Sequence, residues 1–327
     1  MNLLRSLFVA LRSSDLFENW LYAGLKYMLI KYGLAKDSIV VKCNDKKHRL
    51  TPDIYSFIIN AHYDGYITNF KCNNIIEFIQ NNFRFNITDD SKIFLVTPDN
   101  IKLYIDSIRL IDWTVLLETW LYDIHFLDFN LNRWFILDIG AYIGDTALYY
   151  ASKGAFVVAV EPAPKHFELM LKNIGLNPEF KTKILPINVA IANSDGYVDI
   201  AVDGDYLDGG VSIYKDGASR IRVKAVTLKS LLNNIKEMGV NIGEFKTKVL
   251  KMDCKGCEWD VVNNELDSLK SFDIIKIEYS GYLRNYTVDQ LINKLKYINF
   301  TCMRYAHNEQ AIKIGLDRHG MIHCIRV

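Results

Sequence analysis

The sequence contains no apolar run approaching the ~20 residues that cross a membrane. It has almost no net charge: 39 Lys and Arg stand against 38 Asp and Glu, a formal charge of +1. That balance removes the electrostatic case for general nucleic-acid binding. There is no dense cysteine framework. The six cysteines are scattered at 43, 72, 254, 257, 302 and 324, and no stretch at the start reads as a signal peptide. The expectation is reduced thiols in a cytoplasmic protein. Cys254 and Cys257 form the lone CxxC, without a second pair or histidines at ligand spacing, so they read as small residues lining a turn. The seven histidines are dispersed, including His307, His319 and His323 near the end, and no metal site is expected. No internal repeat and no low-complexity linker is visible.

What is present centres on Trp134–Thr146, Trp-Phe-Ile-Leu-Asp-Ile-Gly-Ala-Tyr-Ile-Gly-Asp-Thr. Phe135–Leu137 is too short an apolar run for anything but a buried strand. Gly140 and Gly144 follow. The residues from Asp145 read as a helix, with Asp145 as its expected N-cap. This order, strand then glycine turn then helix, lets backbone approach a ligand and aims free N–H groups at it. A second apolar run, Ala155–Val160, ends in Glu161-Pro162. A carboxylate at a second strand tip can accept from both hydroxyls of a ribose. The glycine spacing is not the dinucleotide G-x-G-x-x-G, and Tyr142-Ile143 sits where a pyrophosphate needs bare backbone. A nucleoside without phosphates, S-adenosylmethionine, fits better than NAD.

Leu137–Leu148, then Val-Glu-Pro-Ala-Pro at 160–164, Asn-Val-Ala-Ile at 188–191, Val-Thr-Leu-Lys-Ser-Leu-Leu at 226–232 and Lys-Met-Asp-Cys-Lys-Gly-Cys-Glu at 251–258 together resemble the FkbM-type family of S-adenosylmethionine-dependent methyltransferases. The likeness covers roughly residues 133–300. The sequence departs from the family pattern at Lys255, where a glutamate is usual, and at Lys229, where an aspartate is usual. The resemblance implies an α/β, Rossmann-like class I methyltransferase fold: a mostly parallel seven-stranded sheet with an antiparallel closing strand. It also implies O-methylation of a sugar, glycan or metabolite hydroxyl. Two alternatives stay open. One is a non-catalytic S-adenosylmethionine or nucleoside binder, which Lys255 and Lys229 keep in play. The other is a nucleic-acid methyltransferase, which lacks a basic signature and an Asn-Pro-Pro-Tyr motif here.

The chain divides into residues 1–130, an N-terminal α+β region serving substrate recognition or dimerisation, and 131–327, the donor-binding domain. Residues 1–34 read as helix, broken near Ser13-Ser14-Asp15, with Asp15 capping the second piece. Leu3, Leu4, Leu7, Phe8 and Leu11 share one face. Packing on the protein itself or on a second copy is the preferred reading, and an interfacial membrane helix the alternative. Next come a strand at Ile39–Val41, a charged turn over Asn44–Arg49, a helix over Pro52–His62 and a turn at Asp64-Gly65. Asn69–Asn82 is ambiguous. Ile93–Val96 and Ile101–Ile105 read as a hairpin, and Ile111–Phe126 as a helix. Beyond Trp134, strands are expected at 134–138, 156–161, 183–189, 248–253 and 273–279, with helices between most of them. Extra antiparallel strands are expected at Tyr197–Ala201, Gly210–Tyr214 and Ile221–Val226, with turns at Asp203-Gly204-Asp205 and Asp216-Gly217. The closing pair, Phe300–Tyr305 with Met321–Val327, follows from the resemblance.

The donor would lie against Gly140, Ala141, Tyr142 and Gly144. Asp138 either holds its ammonium or accepts turn amides, and Asp145 and Thr146 either touch it or cap the helix. Glu161, beside Pro162, takes the ribose, and Asn188, Val189 and Ala190 take the adenine. On the acceptor side Asp253 is the candidate general base or orienting group. Glu258 caps helix amides or binds substrate, and Glu278 is a third acid at the same rim. Hydroxyl methylation needs donor and acceptor held in line and a group to take the proton.

Overall fold

The computed structural model describes residues 3–36, 38–43, 46–63, 76, 84–87, 93–104, 116, 119–120, 130–202, 212–214, 219–305 and 319–327. The chain forms two compact units: residues 1–100, 105–124 and 308–310 make the first, and 101–104, 125–307 and 311–327 the second.

In the first unit, helix α1 (Leu3–Arg12) leads through a single 3-10 turn into α2 (Trp20–Lys31). The break falls at Ser13–Asp15 as predicted, but Asp15 lies within the 3-10 turn and not at the cap position of α2. Asn19 occupies the cap position of α2, and its side chain bonds elsewhere. Its amide nitrogen donates to the Val40 carbonyl at 2.9 Å and its oxygen accepts from the Lys42 N–H at 2.7 Å. Those groups belong to strand β1 (Ile39–Cys43), which pairs antiparallel with β2 (Lys46–Leu50). The expected charged turn over 44–49 is thus mostly a strand. Its charges face solvent while Leu50 points inward, the arrangement of a protected edge. Helix α3 (Pro52–Tyr63) buries Tyr55 and Ile58. Strands β3 (Arg84–Ile87) and β4 (Ile93–Val96) pair antiparallel. The expected turns at 64–65, 203–205 and 216–217 lie outside the described residues, as do His307 and most of 69–82 and 111–126.

The second unit begins with β5 (Lys102–Tyr104). Then come β6 (Trp134–Ile139), α4 (Asp145–Ser152), β7 (Phe156–Val160), α5 (Pro164–Leu176), β8 (Ile184–Ile187), β9 (Ala190–Ile191), β10 (Gly196–Val202), β11 (Ser219–Val226), α6 (Leu228–Glu237), β12 (Thr247–Met252) and α7 (Cys257–Asn264). The chain continues through β13 (Ile274–Ser280), α8 (Val288–Tyr297), β14 (Phe300–Tyr305) and β15 (His319–Arg326). Seven strands form one sheet in the order β14-β15-β13-β12-β6-β7-β8. β8, β7, β6, β12 and β13 run parallel, and β15 runs antiparallel to both neighbours. Parallel strands covered on both faces read as continuous apolar runs. Phe135, Ile136 and Leu137 of β6 and Val157 and Val158 of β7 are fully buried. The order reverses between β6 and β12, and ligands in such sheets bind beyond the strand ends at that switch point. A smaller sheet holds β10, β11 and β9. Of the expected strand at 210–214 only Ser212–Tyr214 is described, and Ser212 bridges Ala201.

The cysteines correct one expectation. Cys302 and Cys324, register partners on β14 and β15, are joined as a disulfide, and so are Cys254 and Cys257. Reduced thiols are therefore not what the structure holds, and cytoplasmic placement loses that support. Among the described residues no helix is long and apolar enough to cross a membrane, and no cluster of His, Cys, Asp and Glu fits a metal ion.

Candidate donor and acceptor site

The loop after β6 is pinned between the ends of two strands. The Gly140 and Ala141 N–H groups donate to the Val160 carbonyl at 2.9 and 3.0 Å, and the Asp253 N–H donates to the Ile139 carbonyl at 2.9 Å. Gly140 has φ +80°, and a Cβ there would collide with the Asp253 carbonyl oxygen. The glycine is thus demanded by the approach of the chain leaving β12, as well as by any ligand. Gly144 closes the turn through its N–H to the Ala141 carbonyl at 2.7 Å and stands in the N-cap position of α4. Asp145 is therefore the first helical residue, not the expected cap.

Glu161 follows the end of β7 and is 5 % exposed. Its carboxylate accepts from the Tyr142 N–H at 3.0 Å and from the Ala163 N–H at 2.9 Å. The His166 Nδ1 lies 3.3 Å away, and the His166 ring meets Tyr142 edge-on at 4.7 Å. Each carboxylate oxygen has two acceptor sites, so the backbone bonds leave capacity for hydroxyl donors. The carboxylate also fixes Tyr142, which has the left-handed φ of 48°. Asn188 donates its amide to the carbonyls of Glu161 and Pro162 at 2.7 and 3.1 Å, tying the third strand's tip to the second's. Val189 and Ala190 beside it are buried.

Beneath the turn lies a charged cluster closed to solvent. Asp138 is fully buried within β6; one oxygen accepts from the Thr146 hydroxyl at 2.6 Å and the other from the Lys251 ammonium at 2.8 Å. Both Asp138 oxygens thus accept from side chains rather than from turn amides. Thr146 uses its hydroxyl in the same bond. Asp145 is buried, and its Oδ2 has no hydrogen-bond partner among the described residues. Burial raises its pKa to about 7, against the positive charge of Lys251 and with the negative charge of Asp138. Burial opposes the Lys251 charge, but the Asp138 and Asp253 carboxylates outweigh it and hold the ammonium above its usual range. Lys251 was not expected. It interrupts the apolar stretch Val249–Met252, and the signal lay in its register, directly opposite Asp138.

The acceptor rim forms where β12 and β13 end. The Lys255 ammonium bridges Asp253 and Glu278, 2.7 Å from each. The three side chains keep 19, 25 and 12 % of their surface, so they line an accessible edge. Burial raises the Asp253 pKa to about 6, with the Glu278 charge adding to it and the charges of Lys255 and Lys251 opposing. Lys255 has φ 51°, and the Ser212 hydroxyl donates to its carbonyl at 2.6 Å. Glu258 is unlike its neighbours. It is fully buried and accepts from the Gly256 N–H at 2.7 Å, the Ser280 N–H at 2.8 Å and the Tyr286 hydroxyl at 2.6 Å. Burial and the Glu258 charge push the Tyr286 phenol far up, so it stays a donor. Glu258 thus holds the turn after β12 to the end of β13. At the other departure, Lys229 is exposed at the start of α6, where Glu265 accepts its N–H at 2.7 Å.

The set fits a nucleoside bearing an amino-acid arm. Glu161 offers acceptors for a diol, and the unpartnered Asp145 oxygen offers one for a cation. A sheet of this order, with a glycine turn after its first parallel strand, a buried carboxylate after its second and an antiparallel closing strand, defines a Rossmann-like methyltransferase.

The Methyltransferase FkbM domain matches residues 138–302, half of the chain. The chain belongs to that family of S-adenosylmethionine-dependent methyltransferases. No curated protein sequence matches it. Among solved structures, the Methyltransferase FkbM from Methylobacillus flagellatus is similar at 12 % identity and a TM-score of 0.40, over 62 % of this chain and 45 % of that one. The O-methyltransferase from Bacillus cereus, in complex with SAH, is similar at 13 % and 0.34, over 59 % and 74 %. The O-methyltransferase TomG from Streptomyces achromogenes, in complex with SAM, stands at 10 % and 0.34, over 59 % and 73 %. The chain thus spans under half the length of the Methylobacillus protein.

Proposed function

We propose that the protein transfers the methyl group of S-adenosylmethionine to a hydroxyl of a sugar, glycan or metabolite. The observation that supports this reading is the close approach of the Asp253 carbonyl to Gly140, which leaves no room for a Cβ there and brings Asp253 to the end of the glycine turn. When bound, the donor supplies a methyl on positively charged sulfur, an excellent leaving group. The chain's task is then to hold two partners in line and to manage one proton. Glu161 binds the ribose diol, the backbone of Gly140–Gly144 lines the methionine arm, and Asn188, Val189 and Ala190 flank the adenine. Asp145 accepts from the donor's ammonium, and Asp138 and Thr146 support it from below. Asp253 takes the proton from the acceptor hydroxyl. Glu278 shares the rim, Lys255 keeps the two acids together, and Glu258 holds the rim's shape. Residues 1–130 form the region that recognises the acceptor or a second copy.

A non-catalytic binder is the second reading, favoured by the Lys255 bridge that occupies both Asp253 and Glu278. Thermal shifts with S-adenosylhomocysteine and NAD, followed by methyl transfer to a panel of glycans and metabolites, separate the possibilities. A shift with S-adenosylhomocysteine alone and transfer to a hydroxyl support the enzyme. The same shift with no transfer supports the binder, and a shift with NAD alone removes both.

A further inference from the structure

Helix α2 is apolar apart from Lys26 and Lys31, yet it is not a core helix. Its sequence, WLYAGLKYMLIK, buries only Ala23. Leu21, Leu25 and Met28, with Tyr32 just past its end, are 68, 62, 44 and 69 % exposed. Their spacing of four, three and four residues stacks them in one row along the helix. On α1, Phe8 and Leu11 are also about half exposed, while Val9 turns inward. Of the face that was expected to pack on the protein itself or on a second copy, Phe8 and Leu11 are thus left uncovered within the single chain. Soluble monomers rarely leave a contiguous apolar surface of this kind in water.

The charge of this part of the chain points to what covers the row. Residues 1–50 hold nine Lys and Arg against four Asp and Glu, in a chain that is otherwise nearly balanced. A second copy placed on the same face would bring like charges together, whereas an anionic lipid surface would complement them. At 12 residues, α2 is too short to span a bilayer and long enough to lie in its interface. Trp20, Tyr22 and Tyr32 are the amphipathic rings favoured at that depth. We propose that α2, assisted by Phe8 and Leu11 of α1, seats this protein on an anionic membrane surface through the row Leu21, Leu25, Met28 and Tyr32. The inference is independent of the methyl-transfer reading.

Vesicle flotation of the full chain tests it, using phosphatidylcholine mixed with phosphatidylglycerol against phosphatidylcholine alone, at low and high salt. The protein is expected to float with the anionic vesicles, and salt should weaken the association. The double variant Leu25→Ser/Met28→Ser should lower the bound fraction about tenfold, and Lys26→Glu/Lys31→Glu should do likewise. Each variant's melting temperature confirms that it folds. Absence of flotation, or equal flotation by wild type and Leu25→Ser/Met28→Ser, would overturn the proposal. So would a lipid-free dimer in sedimentation that the apolar variant turns into a monomer, because the face would then belong to a second copy.

Discussion

Lys251 and Asp138 face each other on adjacent parallel strands, 2.8 Å apart and sealed from solvent beneath the glycine turn. A buried ion pair can be replaced as a unit at little cost, but removing one partner strands the other charge. Lys251→Met is expected to destabilise the fold by about 3–5 kcal/mol. The double variant Lys251→Met/Asp138→Asn should recover part of that loss. Urea unfolding of the two single variants and the double variant checks it. Additive losses would mean that the pair is not coupled.

Asp145 gives the fold a pH dependence of definite sign. Its carboxyl rises from 3.8 to about 7 on folding, so the folded state keeps a proton that the unfolded state has released. Its contribution is fully present below about pH 4 and is lost as pH climbs through about 7. Asp145→Asn should flatten that decline and be the more stable protein above pH 7. Melting temperatures from pH 4 to 8 on both proteins test this. A steeper decline in the variant would mean that the carboxylate is stabilised in its charged form.

With Asp253 as the proposed base, Lys255 should govern the working pH of the rim. Asp253, raised to about 6, must be ionised to accept a proton, so turnover should rise through pH 6. Lys255→Met removes a charge that lowers the Asp253 pKa, and the acidic limb of the rate profile should move to higher pH. An unmoved limb would remove Asp253 as the titrating base.

Gly140→Ala would set a methyl against the Asp253 carbonyl at a backbone angle of +80°. Donor affinity should fall, and stability should drop by more than about 1 kcal/mol. Calorimetry with S-adenosylhomocysteine and a melting curve measure the two effects.

β6 and β7 were legible because each is a short, largely apolar run that ends at glycine, acid or proline, and neighbouring residues carry that signal. Glu161 could likewise be located at a strand tip. Lys251 could not be read, because a lysine in a strand normally faces water and only the pairing with β6 puts it opposite Asp138. The Cys302–Cys324 link depends on the register that brings together two cysteines 22 residues apart in the sequence. β2 was hidden by its charges, which suit an edge strand as well as a turn. The family motif suggested a rim role for Glu258 as readily as capping. Its bonds to Ser280 and Tyr286, from a distant strand and loop, make it a structural tie.

The decisive measurement is calorimetric binding of S-adenosylhomocysteine to the wild type, Glu161→Gln and Asp253→Asn. A charged acceptor on a ribose diol is worth about 1.5–3 kcal/mol, so Glu161→Gln should bind at least about tenfold more weakly, while Asp253→Asn keeps its affinity and loses turnover. Wild-type affinity in Glu161→Gln, with the fold intact, would contradict the assignment of the donor site.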